Sequence, residues 1–499
     1  MVRQLTAVVP DILGLLDGEH GADIALEDAA HRVTYAQLGP SARAIAVALA
    51  RRGVRRGDRV AVVATNSTAS VELYLGCALL GAVWVGINPV APQAEQHRQL
   101  DLVTPRLVLR SAELAGVLED RSEPFDGAVP DRSAPVAIAF SSGTTGTPKA
   151  HVHSRAGVSL AAAALAGANL ERGDRVGVIL PMSIHNVMVV GAMATLFAGA
   201  TCVAVERMNA GAVAAACRDR RLTMLSALVP ATIYDLVHDD AIAADALSSL
   251  RLAGSGAAGL AEELRAAFER KFGVPVVGSY GMTEAPGAVC LEDPALPHAP
   301  GACGRPLPHV SVVACAADGR VLPPGCDGEL VVRAADSGRW ARLYRPSLGV
   351  WTADGPVLRD DESFLATGDF GSVDDDGTVQ VSGRRSDVIV RGGVNINAAE
   401  VESILGQIPQ VRDIAVVGRT DARLGQRIVA FVEPAQDVTL DADFLRGRAR
   451  EMVSHGKVPD DFVIGPLPRN AMGKVVKGTL TAGAETSGKD TKWDSSTVQ

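Results

Sequence analysis

Paired cysteines are missing from this sequence. Its seven cysteines stand at 77, 202, 217, 290, 303, 315 and 326 with no CxxC spacing, which argues against a disulfide frame or a zinc site and for reduced thiols in a cytoplasmic protein. Basic charge is in short supply too. Lysine and arginine total 48 against 57 aspartates and glutamates, a formal net charge of -9. Phosphate backbones are bound by basic surfaces, so nucleic acid is not expected as the main partner. Between Met1 and Gly18 no basic start leads into a long apolar block, so no signal peptide is expected. The stretch from Asn186 to Val205 is uncharged and of about membrane length, yet it is rich in Gly, Ala and Thr. It is expected as a buried helix, ending near Ala198-Gly199-Ala200-Thr201, followed by a strand, and no membrane association is expected. No internal repeat is present.

What the chain has is length and a globular composition. At 499 residues, 47% hydrophobic and 21% charged, it is too long for one core and implies several domains. From Thr6 to about Ala200, helical stretches alternate with apolar strands. Tyr35 to Arg52 and Ser70 to Gly81 have helical character, while Arg59 to Val63, Arg175 to Leu180 and Thr201 to Val205 read as strands. Such alternation predicts an α/β fold with parallel strands and helices on both faces. Between Pro306 and Val332 strands dominate, Val310 to Val313 and Glu329 to Arg333 flanking a Pro323-Pro324-Gly325 turn, which predicts a small β subdomain. Beyond Gly383 short strands at Asp387 to Val390, Asp413 to Val417 and Arg427 to Val432 surround a helical stretch, Ala398 to Ile408, whose Val401, Ile404, Leu405 and Ile408 share a face. That is a compact α+β unit of domain size. The polar end, 482–499, is expected to be disordered.

One loop is suited to chemistry rather than to a core. Val136 to Phe140 is a short apolar strand, and it runs into Ser141-Ser142-Gly143-Thr144-Thr145-Gly146-Thr147-Pro148-Lys149. Gly143 and Gly146 free the backbone, hydroxyls and amides can donate to oxygens, and Lys149 adds a cation, which together describe a polyphosphate loop. It is not a Walker A loop, since the Gly-Lys-Ser/Thr ending is missing. In open α/β sheets ligands bind beyond the carboxyl ends of strands, where this loop falls.

Four further stretches follow it: Gly278 to Glu284 (GSYGMTE), Ala366 to Asp369 (ATGD), Gly383 to Asp387 (GRRSD) leading into Gly392 to Ile396 (GGVNI), and Leu467 to Lys474 (LPRNAMGK). With the loop, in this order and spacing over nearly the whole chain, they resemble the motifs of the adenylate-forming superfamily, in its acyl-CoA synthetase branch. The resemblance implies a large N-terminal domain of doubly wound sheets (1–382) with a small β subdomain (about 300–382), a hinge near 383–387, and a small mobile α+β C-terminal domain (387–481). It also implies a two-step ligase using ATP, Mg2+ and CoA. A carboxylate attacks the α-phosphorus to give an acyl-adenylate and pyrophosphate, the small domain rotates, and CoA thiolate displaces AMP.

Residue roles follow from the same resemblance. Ser141, Ser142, Gly143, Thr144, Thr145, Gly146 and Lys149 would hold the β- and γ-phosphates, with charge neutralisation and positioning as the catalytic need. Glu284 is the expected Mg2+ ligand, a hard carboxylate for a hard cation. Thr283 would bond the α-phosphate, Tyr280, with Ser279 and Gly281 beside it, would face adenine, and Asp369 would accept from the ribose hydroxyls with Arg384 assisting. Lys474 would reach from the mobile domain to the reacting carboxylate. Gly254 and Gly256 are expected against the nucleotide, and His185, Asn186, Ser255, Ala257 and Ala285 in the acyl pocket, with a packed histidine as the other reading of His185. Ser386 would be the pivot, and Gly392 and Gly393 would line the pantetheine tunnel.

Departures from the pattern leave alternatives open. The phosphate loop of such proteins commonly continues Pro-Lys-Gly and an apolar residue, whereas here Pro148-Lys149 is followed by Ala150 and His151. A ligase impaired in adenylation, working mainly on a supplied acyl-adenylate, is therefore one alternative. A second is an enzyme that loads a carrier protein, although no carrier-like segment follows Lys474. A third, from another class, is an NAD-binding oxidoreductase, because Gly254 to Gly259 is a literal GxGxxG. The acid expected about twenty residues on to hold a ribose is absent, which disfavours it. No aspartate in the pocket stretches is ready to hold an ammonium group, so a non-amino carboxylic acid is expected. A homodimer is left open.

Overall fold

Two kinds of apolar pattern run through the chain, and they become two kinds of sheet. Arg59–Val63 and Val83–Ile87 are almost continuously buried, as parallel strands covered on both faces must be. Val310–Cys315 and Gly328–Ala334 instead alternate buried and half-buried positions, the pattern of antiparallel strands with one wetter face. The computed structural model describes residues 9–119, 125, 127–141, 148–256, 259–299, 301–359, 364–384, 387–391, 394–421, 423–436, 438–470 and 475–482.

A seven-stranded sheet runs in the order Gly355–Leu358, Gly349–Thr352, Lys149–Ser154, Pro135–Ser141, Val83–Ile87, Arg59–Val63 and Leu107–Arg110. Its last four strands are parallel, but Lys149–Ser154 pairs antiparallel with Pro135–Ser141, which departs from the all-parallel expectation. The connection 142–148 is shorter than the dozen or so residues a parallel crossover needs, so the chain can only turn back. A nine-stranded sheet is parallel through its middle and continues toward one edge in the antiparallel hairpin Val276–Met282 and Ala285–Leu291, with the short strand Arg305–Pro306 outermost. The four strands Val310–Cys315, Gly328–Ala334, Phe364–Val373 and Val379–Arg384 form an antiparallel sheet. The fold is α/β, with a large N-terminal sheet domain and a smaller C-terminal unit built on a five-stranded sheet.

Helices start and stop where their sequences direct. Thr34 and Gln37 form a capping box at the head of Tyr35–Arg51, satisfying backbone donors that a helix leaves unpaired. Thr68–Leu80 begins after Ser67, whose hydroxyl accepts from Ser70 N, and ends at Gly81 in a left-handed conformation (φ 80°) that glycine adopts without strain. The stretch expected as one buried helix from Asn186 is helical but not uniformly so. His185–Val187 and Ala194–Phe197 are α-helical around a π-helical Met188–Met193, and the strand Thr201–Ala204 follows. Among the described residues no helix is long and apolar enough to cross a membrane. Ala482 closes the helix Lys477–Ala482 instead of opening a disordered tail, and 483–499 lie outside the described residues.

Candidate active site at the junction of three sheets

The hairpin Val276–Met282 and Ala285–Leu291 is the hub. Met282 pairs with Ala285 across a two-residue turn, so Thr283 and Glu284 stand at its tip. The turn is anchored by Ser347 N, which donates to Glu284 O at 2.8 Å. The strand pairs Pro135–Ser141 and Lys149–Ser154 bring a second element to the same place. Ser141 lies opposite Lys149, Phe140 opposite Ala150 and Ala139 opposite His151. His151 lies 3.0 Å through Nε2 from the Ser141 hydroxyl and 3.3 Å from Glu284 Oε1. Burial pushes the His151 imidazole below its usual pKa, with Glu284 acting against that and Lys149 adding to it, so the ring is neutral at neutral pH.

A third sheet supplies the aspartate. Asp369 and Arg384 are cross-strand partners in the four-stranded sheet, and Arg384 Nε donates to Asp369 Oδ1 at 2.9 Å. The Tyr280 hydroxyl, from the hub hairpin, donates to Asp369 Oδ2 at 2.6 Å. Burial and then the Asp369 charge push the Tyr280 phenol well above its usual pKa, so it remains a donor. Asp369 itself is only 4% exposed. Tyr280 thus holds the aspartate through its hydroxyl, which adds a function to the aromatic face expected of it.

The acyl-side candidates lie on the other flank of the hub. Asn186 Nδ2 donates to Met282 O at 2.8 Å, one residue before the turn. His185 is 1% exposed. Its Nε2 is 3.1 Å from the Tyr74 hydroxyl, its ring stacks on His153 at 4.9 Å, and Trp84 lies 6.2 Å away. Burial drives its pKa down to about 3. It is therefore a packed, neutral histidine beside Asn186. Ser255 and Ala285 are buried, and the Ser279 hydroxyl donates to Ser255 O at 3.1 Å.

Two glycines of the GxGxxG stretch, Gly254 and Gly256, have a packing reason, while a Cβ on Gly259 would meet nothing within 4 Å. A Cβ on Gly254 would fall 2.4 Å from Ser226 O, and one on Gly256 2.9 Å from Ser279 Oγ; a Cβ on Gly281 would fall 2.8 Å from Gly287 O. The bare backbone lets neighbouring segments approach, which a dinucleotide is not needed to explain. Ala150 is fully buried with ordinary strand pairing and is not among the residues with positive φ, so this position does not call for glycine.

Ser142, Gly143, Thr144, Thr145 and Gly146, together with Ala257, Ser386, Gly392, Gly393 and Lys474, lie outside the described residues. The structure also brings in His153, Tyr74 and Trp84, which sequence reasoning missed. For His153 a signal existed: it is two residues from His151, so the alternation of a strand puts both rings on one face.

These parts define a class, the adenylate-forming ligases of the acyl-CoA synthetase branch, which use ATP and CoA. Residues 17–339 match the AMP-binding enzyme family and residues 400–474 match the AMP-binding enzyme C-terminal domain. The chain belongs to the AMP-binding enzyme family. It is 32% identical to the indoleacetate–CoA ligase of Aromatoleum aromaticum, over 89% of this chain and 92% of that one. It is 31% identical to a feruloyl-CoA synthase from Amycolatopsis sp, over 90% of this chain and 93% of the relative. The crystal structure of ATP-bound MatB from Rhodopseudomonas palustris superposes with a TM-score of 0.84 at 25% identity, covering 95% and 99% of the two chains.

Proposed function

We propose that the protein activates an aromatic, non-amino carboxylic acid as its adenylate and passes the acyl group to CoA. The neutral burial of His185 carries the choice of acid. With Tyr74, Trp84 and His153 packed around it, this buried ring offers no charge to a second anionic group. Among the described candidates His185, Asn186, Ser255 and Ala285, there is no carboxylate for an ammonium group. The relatives that act on indoleacetate and ferulate, both aromatic acids, support the same reading.

In the first step a carboxylate oxygen forms a bond to the α-phosphorus while the α–β phosphoryl bond breaks and pyrophosphate leaves. In the second the CoA thiolate attacks the acyl carbon and AMP departs. Asp369, fixed by Tyr280 and Arg384, keeps further lone pairs with which to accept from ribose hydroxyls. Thr283 would donate to the α-phosphate, and the stretch from Ser141 to Lys149 to the outer phosphates. Lys474 would supply positive charge at the reacting carboxylate, with 383–387 as the hinge that brings the C-terminal unit round and Gly392-Gly393 leaving room for pantetheine.

Glu284 fits the magnesium such enzymes use. Its side chain is 34% exposed at the hairpin tip, and Mg2+ held with nucleotide phosphates needs only one or two protein carboxylates. Bound there, the ion would neutralise phosphate charge. The seven free cysteines support a reducing, cytoplasmic setting.

The test is a panel of acids, indole-3-acetate, ferulate, benzoate, malonate and an amino acid, followed by pyrophosphate release and by CoA thioester formation. Aromatic acids are expected to give both products. Turnover of malonate or the amino acid alone would overturn the choice of acid.

A further inference from the structure

Ser141 and Glu284 belong to different sheets, and the His151 side chain lies between them. His151 Nε2 is 3.0 Å from the Ser141 hydroxyl at the end of its own sheet and 3.3 Å from the Glu284 carboxylate on the hub hairpin. We propose that His151 is a positioning residue of the nucleotide site, setting the metal-binding carboxylate of Glu284 and the first hydroxyl of the phosphate loop in register before ATP enters. This rests on the reading of Glu284 and Ser141 given above.

Three observations carry it. His151 sits inside a paired strand and is 5% exposed, so its ring cannot swing away as a surface histidine can. Glu284 is at a hairpin tip and one-third exposed, so without a neighbour its carboxylate would sample several rotamers, and fixing it beforehand lowers the ordering cost of binding. Magnesium takes oxygen ligands, which makes the imidazole a support for the carboxylate and not itself a ligand. An apolar side chain at 151 would fill the same space in the strand and leave the two sheets unlinked at this point. The residue that breaks the usual pattern after the lysine thereby becomes part of the site.

The experiment uses the full-length protein and ATP as probe, needing no knowledge of the acid. ATP affinity is measured by calorimetry with excess Mg2+ and again in EDTA, and the ratio is the gain from the metal. His151→Val is expected to lose about tenfold of that gain, the usual scale for removing a support behind a metal ligand. His151→Gln, whose amide nitrogen reaches the region of Nε2, is expected to keep most of it. A full gain in His151→Val overturns the proposal, as does an equal loss in both variants, which would mean packing alone. Melting temperatures of the ligand-free variants report folding. Glu284→Gln separates the two levels. If it loses the gain while His151→Val keeps it, the role of His151 falls alone. If Glu284→Gln keeps the gain of the wild type, or the wild type itself gains nothing from Mg2+, the reading of Glu284 falls and takes this one with it.

Discussion

A buried carboxylate with a donor on each oxygen is held in one orientation, and Asp369 is such a group. The Tyr280 hydroxyl and the Arg384 guanidinium take opposite oxygens. A hydrogen bond to a charged group contributes about 1.5–3 kcal/mol, so Tyr280→Phe is expected to lower the unfolding free energy by about 2 kcal/mol in a urea titration and to weaken ATP binding. Unchanged stability would mean that water replaces the hydroxyl. Buried histidines act on stability through pH. His185 and His309 are each driven by burial from 6.5 to about 3, and His153 is lowered well below 6.5. The unfolded chain binds protons below pH 6.5 that the folded protein refuses, so stability is full above that pH and falls as the pH drops toward 3. Each such group costs up to about 1.4 kcal/mol per pH unit. His309, whose ring nitrogens have no partner among the described residues, makes a clean probe. His309→Phe is expected to flatten the decline between pH 6.5 and 5 by about 2 kcal/mol, measured by denaturant unfolding at both values.

At the scale of elements, local pattern was a good guide to existence and a poor one to pairing. The helix Tyr35–Arg51 and the strands Arg59–Val63 and Val310–Cys315 lie where periodicity and turn residues place them, because capping and burial are local properties. The hub hairpin is different. Thr283-Glu284 reads as readily as a helix start, and only pairing of Met282 with Ala285 makes it a tip. A glycine far along the chain supports that hairpin. Gly304 has φ 81°, and a Cβ there would lie 2.1 Å from the backbone of Leu291. Gly304→Ala therefore combines left-handed strain with a clash that no side-chain movement relieves. A loss of at least about 2 kcal/mol is expected, checked by thermal unfolding; a melting point within a degree of wild type would refute it.

At the scale of the whole molecule, Arg412 is one of the described side chains that join the N- and C-terminal parts. Arg412, in the strand Val411–Asp421, reaches Asp235 at 3.2 Å and lies 5.5 Å over the Tyr234 ring, both on the helix Pro230–His238. An exposed ion pair is worth about 0.2–1 kcal/mol and a cation–π contact about 0.5–1. Arg412→Ala is therefore expected to shift the populations of domain arrangements several-fold away from this one, seen as a broader distance distribution between one label on each part. High salt is expected to push the same way, and an unchanged distribution would mean that the contact holds nothing.

The sequence by itself determined the α/β class, the elements and the ordered set of motifs, because composition, periodicity and turn chemistry act over neighbouring residues. The tertiary structure alone decided that Ser141, Glu284 and Asp369 come from three different sheets to one place. It also decided that His151 links two of them and that His185 is packed and neutral. Those relations depend on strand register and on sheets meeting across more than a hundred residues of chain, and neither is encoded in any local pattern.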